Sequence, residues 1–404
     1  MNGLLTYTEN EAAPFSLKTR EVTGRRILGN AAENIVGVFD KGNIAVITAK
    51  SVECFADIAI KSLIRGGYFV RKVVTDDCDT VEAAAEEVLR LDECVRFLVG
   101  VGAGKIADVA RYSASKREIG YALIPTAPST ESYICDYVAH TGNGCCLKCD
   151  FPEMIIIDEE LMEKAPSALV AAGYGRVIAQ LVGIFDLEFS KVVDAADFNE
   201  DILQDLAENI HRFELAKSEP LFKIRLMQLL MKIAKAKAAM DIKNTAVDSF
   251  AYVLAENTKG HTEGETSFIA GYVLLNLYRM FLSARAVDTL LPSDTVKTLK
   301  LLEKMRAINY NKYVSMICQD SVNAYLKRGF ILNEYREELY SRLDGLDMSG
   351  LTRFWRRLYD DAGFWLKDFI GNASLMRYLS LAAELSENCL LKYIKRLGFL
   401  ERFI

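Results

Sequence analysis

Between Asn43 and Ile157 the chain alternates short, β-branched apolar runs with stretches of helical periodicity, and few folds accommodate that alternation. Ile44-Ala-Val-Ile-Thr48 reads as a buried strand, with Cys54–Arg65 as the helix after it. Phe69–Val74 is a second strand, Thr80–Leu91 a second helix, and Val95–Val101 a third strand that runs into a glycine turn. Leu123-Ile-Pro125 and Met154–Ile157 are further short strands. Runs that are apolar at every position, rather than every second one, belong to strands buried on both faces. The expected architecture is therefore α/β, a parallel sheet covered by helices on both sides.

The pattern changes near Pro166. Four of the seven prolines fall between Pro125 and Pro166, and beyond them a 3.6-residue period takes over. Ile202, Leu206, Ile210 and Phe213 trace one helix face, whereas Ile224–Met240 is apolar nearly all round, as in a buried helix. At 404 residues the chain is too long for one core. The sequence predicts an α/β domain over 1–165 and an all-helical domain over 166–404, without a flexible tether.

A net charge of −6 argues against a general nucleic-acid binder, which needs a basic surface. No run of eighteen or more uncharged apolar residues appears, so no membrane partner is expected. Met1 to Lys18 lacks the apolar core of a signal peptide, and the expected compartment is the cytoplasm. Nine scattered cysteines do not suggest a disulfide framework. Cys145, Cys146 and Cys149 contain a CxxC without the second ligand pair that zinc usually wants, and read as a loop coincidence. Only His140, His211 and His261 occur, so sites built on several imidazoles have few candidates; the first two read as surface or structural histidines.

The chemically richest stretch is Phe97-Leu-Val-Gly-Val-Gly-Ala-Gly-Lys-Ile-Ala-Asp108. A strand leads into Gly100, Gly102 and Gly104, and a helix is expected from about Lys105. Glycines let the backbone approach a pyrophosphate, and the helix N-terminus favours its negative charge. A tight strand-to-helix turn without a ligand would use the same residues. Gly102→Val is expected to obstruct a dinucleotide while leaving the fold largely intact.

With Asp108 following, and then Ile124-Pro-Thr-Ala-Pro-Ser-Thr-Glu-Ser132, the spacing resembles the glycerol-1-phosphate dehydrogenases, in the superfamily of iron-type alcohol dehydrogenases, glycerol dehydrogenases and dehydroquinate synthases. Pro152-Glu-Met-Ile-Ile-Ile-Asp158 and Ala165-Pro-Ser-Ala-Leu-Val-Ala-Ala-Gly-Tyr-Gly175 continue it, so that close matching covers about residues 95–190. The resemblance implies an NAD or NADP site at Gly100, Gly102, Gly104 and Asp108, with Thr126 and Ser129 against the same cofactor. Asp108 could equally cap a helix. Lys50, after the first strand, favours NADP, because no carboxylate stands in Thr48-Ala-Lys50 to repel a 2′-phosphate.

Members of that superfamily hold a divalent metal with one Asp and two His, as a Lewis acid on the alcohol oxygen. In this sequence the Asp position after Gly173-Tyr-Gly175 is Arg176, which cannot ligate a cation. The best register for one histidine puts Ser249 there. His261, in Gly260-His-Thr-Glu-Gly-Glu265, is the surviving ligand candidate, in either of two registers that one sequence leaves open. Glu263 or Glu265 could substitute, but the expectation is that no metal of the family type is bound.

Further readings remain paired. Lys148 is a substrate lysine or an ordinary loop lysine. Glu131 replaces a substrate-side Asp or is simply exposed. Arg111, near a frequent family lysine, reads as solvated. The resemblance implies an oxidoreductase acting on a small phosphorylated polyol or ketone, with Arg176 holding an oxyanion and His261 or Lys148 exchanging the proton. A degenerate paralogue that binds nucleotide without turnover is the alternative, and a lyase-type reaction with transient oxidation a distant third. Homo-oligomers are compatible with either reading.

Overall fold

The computed structural model describes residues 19–75, 80–138, 147–215, 221–240, 242, 245–258, 262–283, 322–344, 353, 372–386, 389–396 and 398–400. Six parallel strands form one sheet in the order β1-β8-β5-β4-β2-β3. They are β1 (Arg20–Gly24), β2 (Asn43–Ala49), β3 (Phe69–Thr75), β4 (Val95–Gly102), β5 (Gly120–Pro125) and β8 (Met154–Asp158). A short antiparallel pair, β6 (Tyr137–Val138) and β7 (Leu147–Lys148), stands apart from it. The expected α/β class with a parallel sheet, followed by a helical region, is what the chain adopts.

Alternate side chains of each strand enter two separate cores. Ala45, Ile47, Leu98, Leu123, Ile155 and Ile157 face α3 (Val81–Leu89) and α4 (Gly104–Arg117). Ile44, Val46, Phe97, Val99, Ile124 and Ile156 face α1 (Ala31–Ile35) and α2 (Glu53–Arg65). Ile44 to Ile47 are all completely buried, which is why that run shows no alternation. Each such aliphatic side chain contributes about 1.5–3 kcal/mol by leaving water.

Strand β1 was not anticipated from the sequence, and it pairs with β8 at the sheet edge. Asp158 fastens this edge. Its carboxylate accepts from Glu160 N at 2.9 Å and Leu161 N at 3.3 Å, capping α5 (Glu159–Glu163). It also accepts from Leu28 N at 2.8 Å and Arg26 N at 3.3 Å, beyond β1.

The chain divides into two compact units, Met1–Gly173 with Ala216–Ala239, and Tyr174–Leu215 with Met240–Ile404. The first therefore contains the all-round apolar helix α8 (Phe222–Ala239), whose Ile224, Met227, Met231 and Ala234 join the core on the α3–α4 face. The helical unit contains most of α6 (Ser167–Asp194), then α7 (Glu200–Leu215), α9 (Ala246–Asn257), α10 (Glu263–Ser283), α11 (Val322–Asp344), α12 (Asn372–Leu385) and α13 (Leu390–Arg396). Helices α6 and α10 cross closely, because a side chain on Gly271 would meet Ala179 Cα at 2.9 Å. Among the described residues α6 alone is long and apolar enough to cross a membrane, and 78% of that window is buried within the protein.

Candidate functional site: the glycine turn and the Arg176 cluster

In the strand order β3-β2-β4-β5, the chain moves outward from β2 in opposite directions, to β3 on one side and through β4 to β5 on the other. Parallel sheets bind ligands outside the carboxyl ends of strands at such a reversal. The carboxyl ends concerned are Thr48-Ala49 of β2 and Val101-Gly102 of β4, joined by a bond from Thr48 Oγ1 to Val101 O at 3.0 Å. The glycine turn of the sequence lies at this point.

Its three glycines have different work. A side chain on Gly102 would meet Ile106 Cβ and Cγ1 at 2.6 Å, and one on Gly100 would meet Leu123 Cδ2 at 2.9 Å. Both positions let α4 lie tightly on the sheet. Gly102→Val would therefore disturb the fold, contrary to the expectation that it would spare it. Gly104 opens α4, and a methyl there meets only Thr130 Cγ2, at 3.3 Å. No side chain caps this helix at Ala103 and no acidic residue lies in its first turn. The turn therefore fits a pyrophosphate: a glycine-lined strand end, a 14-residue helix, and a positive end with no acidic residue in its own first turn.

The other sequence-predicted residues of this unit differ in setting. Thr126 is buried, and its N–H donates to Gly102 O at 3.1 Å, tying the end of β5 to the turn. Ser129 is half-buried and Glu131 buried, so the exposed alternative for Glu131 is excluded. Lys148 is exposed on β7. Lys50 is also exposed, and it pairs with Glu53 at 2.7 Å. Glu53 binds Lys72 at 2.7 Å as well, and these two lysines hold its carboxyl down at about 2. A carboxylate thus does stand beside Lys50, three residues beyond the segment searched for one.

Asp108 is placed differently from expectation. Helix α4 begins four residues earlier, so Asp108 is not its cap. Its Oδ1 accepts from Arg111 Nη1 at 2.6 Å. Arg111 is not solvated but completely buried, and it also donates to the carbonyls of Tyr137 and Ser132. The sequence signal was an Asp and an Arg three apart within an otherwise apolar helix face, a pairing that forms inside a core only when each satisfies the other.

Within the helical unit, Arg176 on α6 is largely buried and ion-paired to Glu263 in the first turn of α10. Glu265 is spent on a reciprocal cap, accepting from Thr262 N while its own N–H donates to Thr262 Oγ1 at 3.3 Å. Ser249 is buried, and its Oγ has no hydrogen-bond partner among the described residues. His261 and His140 lie outside the described residues, as do Cys145 and Cys146, and the side chain of His211 is likewise not described. Among the described residues no three His, Cys, Asp or Glu side chains cluster as a metal site. A guanidinium, a hydroxyl and two committed glutamates do not match the donors a borderline divalent ion takes.

The sequence model of the iron-containing alcohol dehydrogenases matches residues 29–166. Over those residues, about a third of the chain, the protein is similar to that family. The chain is 28% identical over 200 residues to a glycerol-1-phosphate dehydrogenase (NAD(P)+) of Methanothrix thermoacetophila, covering 49% of this chain and 56% of that protein. Against the enzyme of the same name from Metallosphaera sedula it is 31% identical over 144 residues, or 31% and 41% of the two chains. The chain thus spans about half the length of the curated relatives it matches. Two solved structures resemble it over nearly the whole length. Maleylacetate reductase from Agrobacterium tumefaciens has a TM-score of 0.60 at 14% identity, covering 96% of this chain and 97% of that one. NADH-dependent butanol dehydrogenase A from Thermotoga maritima has 0.60 at 13%, covering 98% and 99%. At these identities the likeness is one of fold. The family-model match ends at residue 166, ten residues before Arg176.

Proposed function

We propose that this chain is an NAD(P)-dependent oxidoreductase acting on a small phosphorylated polyol or the corresponding ketone, without the divalent metal of its family. The observation that carries the reading is the start of α4 at the strand-order reversal, with Gly104 at its first position and no side-chain cap. The relatives' printed name, glycerol-1-phosphate dehydrogenase (NAD(P)+), supports the substrate class.

Bound at the turn, the nicotinamide would supply the hydride acceptor. The chain's own part is to hold the pyrophosphate at the backbone of Gly102–Gly104 and to close Thr126 and Ser129 over it. Arg176 supplies a fixed positive charge for a substrate oxyanion or phosphate, which requires Glu263 to yield it. Proton exchange falls to Lys148 or His261. Because Glu263 already neutralises Arg176, a nucleotide-binding protein without turnover is the second reading.

Fluorescence titration with NADH and NADPH, followed by assay of ketone phosphates, tests the proposal. Gly104→Ala improves helix propensity and adds one methyl against Thr130 at the turn. Its melting temperature should stay near that of the parent while dinucleotide affinity falls about tenfold or more, which is about 1.4 kcal/mol. Equal affinity in the two proteins would remove the turn from the site.

NADPH should bind at least as well as NADH. The Glu53 carboxylate opposes that preference by engaging Lys50, so Glu53→Gln should widen it by about three- to tenfold at low salt, as a surface charge effect. A parent that clearly prefers NADH, with Glu53→Gln leaving the ratio unchanged, would show that other groups read the ribose.

A further inference from the structure

We propose that Arg111 is the positioning residue of the dinucleotide site, holding the loop after β5 in the place where it closes over the glycine turn. This rests on the dinucleotide reading above. Arg111 lies on the same helix that starts at Gly104, completely buried. Its fork reaches the Asp108 carboxylate at 2.6 Å, the Tyr137 carbonyl at 3.3 Å, and the Ser132 carbonyl. Cys135 Sγ lies 3.3 Å from each of the same two carbonyls, and its single proton can be donated to either.

The rest of the loop is organised on these points. Tyr133 Oη donates to Ala127 O at 2.7 Å, closing residues 127–133 on themselves. Ser132 N donates to Thr130 Oγ1 at 3.1 Å, and the two hydroxyls lie 3.0 Å apart. Thr130 is the residue that a methyl on Gly104 would meet. A short mechanical path therefore runs from Arg111 through Ser132 and Thr130 to the mouth of the turn, passing Glu131 on the way.

A buried ion pair is weak as a stabiliser, since desolvation offsets most of its attraction. What a guanidinium offers is geometry: several donors in one rigid plane, able to bind a carboxylate and separated carbonyls at once. Lysine keeps the charge opposite Asp108 but spans fewer acceptors. Asp108 accordingly acts through Arg111, as its counterion and orienting group, rather than on the cofactor.

The test compares the full chain with Arg111→Lys, Arg111→Met and Asp108→Asn, using NADPH and NADH titrations well below each melting temperature. Gly104→Ala serves as the marker of the site itself. The expected result is at least a tenfold loss of affinity in Arg111→Met, partial recovery in Arg111→Lys, and a smaller loss in Asp108→Asn. The fluorescence change of bound nicotinamide should be altered alongside. If Arg111→Met does not fold, the lysine and asparagine variants carry the comparison. Parent-like affinity in folded Arg111→Lys and Asp108→Asn, with Gly104→Ala still impaired, overturns the positioning role. A parent that binds neither dinucleotide overturns the underlying reading instead.

Discussion

The helical unit is expected to lose stability as the pH rises from about 4 to about 7, and Asp186→Asn should abolish most of that loss. Asp186 on α6 is almost wholly buried. Its carboxyl accepts from Tyr278 Oη at 3.0 and 3.2 Å, and from Leu390 N at 3.2 Å, so it joins α6, α10 and α13. Burial pushes this carboxyl up to about 7, and the nearby Asp248 adds to the rise, while the bonds from Leu390, Tyr278 and Ala246 oppose it. Burial likewise raises the facing Tyr278 hydroxyl and Cys389 thiol, so both stay neutral.

In the unfolded chain an aspartate titrates near 3.9. Between that pH and about 7 the folded protein holds a proton that the unfolded one has released, so stability falls as pH rises across the interval. The full difference is at most about 4 kcal/mol at about 1.4 per pH unit. Melting curves at closely spaced pH values, for parent and Asp186→Asn, separate this effect from the three histidines, which both proteins share. Parallel curves for the two proteins would mean that Asp186 is ionised inside the fold or solvated there.

Much of the fold was legible because burial on both faces leaves a signature in the residues themselves. Ile44–Ile47 and Phe97–Val101 have no polar alternation to hide, and the glycines mark where β4 must turn. Strand β1 escaped because Arg20-Glu-Val-Thr-Gly24 lies at an edge and gains its meaning from β8, more than a hundred residues away. Helix α8 was legible as a buried helix but not as part of the sheet's cover. A surface apolar all round does not say which layer will bury it.

The site was legible in part, for a related reason. Gly100, Gly102 and Gly104 look alike in sequence, yet two serve the packing of α4 on the sheet and the third lies against Thr130. Asp108 looked like a ligand because its partner, Arg111, looked like a surface residue. Arg176 was visible as a break in the family pattern, but its neutraliser, Glu263, lies eighty-seven residues on. Pairings at that separation depend on helix crossings, such as Gly271 against Ala179, that no local pattern encodes.

Purified without chelator, the full chain is expected to carry less than about a tenth of an equivalent of zinc, iron, nickel or manganese, whereas a working site of this type fills with one. Such a site needs about three imidazole or carboxylate donors. In the alignment expected from the sequence Arg176 takes the first position with a permanent positive charge, and a cation a few ångströms away would be repelled strongly in a poorly solvated setting. In the same alignment Ser249 takes the second, a neutral hydroxyl that is buried and without a hydrogen-bond partner among the described residues. The nearby carboxylates are engaged, Glu263 with Arg176 and Glu265 with the start of α10. Elemental analysis decides the point, and His261→Ala sharpens it. One equivalent of metal that disappears in this variant would show that the helical unit supplies donors other than those assigned. If metal is absent, the Arg176–Glu263 pair becomes the variable to change. Glu263→Gln frees the guanidinium for an anion, so an arginine-based dehydrogenase should gain affinity for a ketone phosphate by about tenfold, the scale of one charge-assisted contact. No turnover in the parent and none in Glu263→Gln, with dinucleotide still bound, would leave nucleotide binding as the activity of this chain.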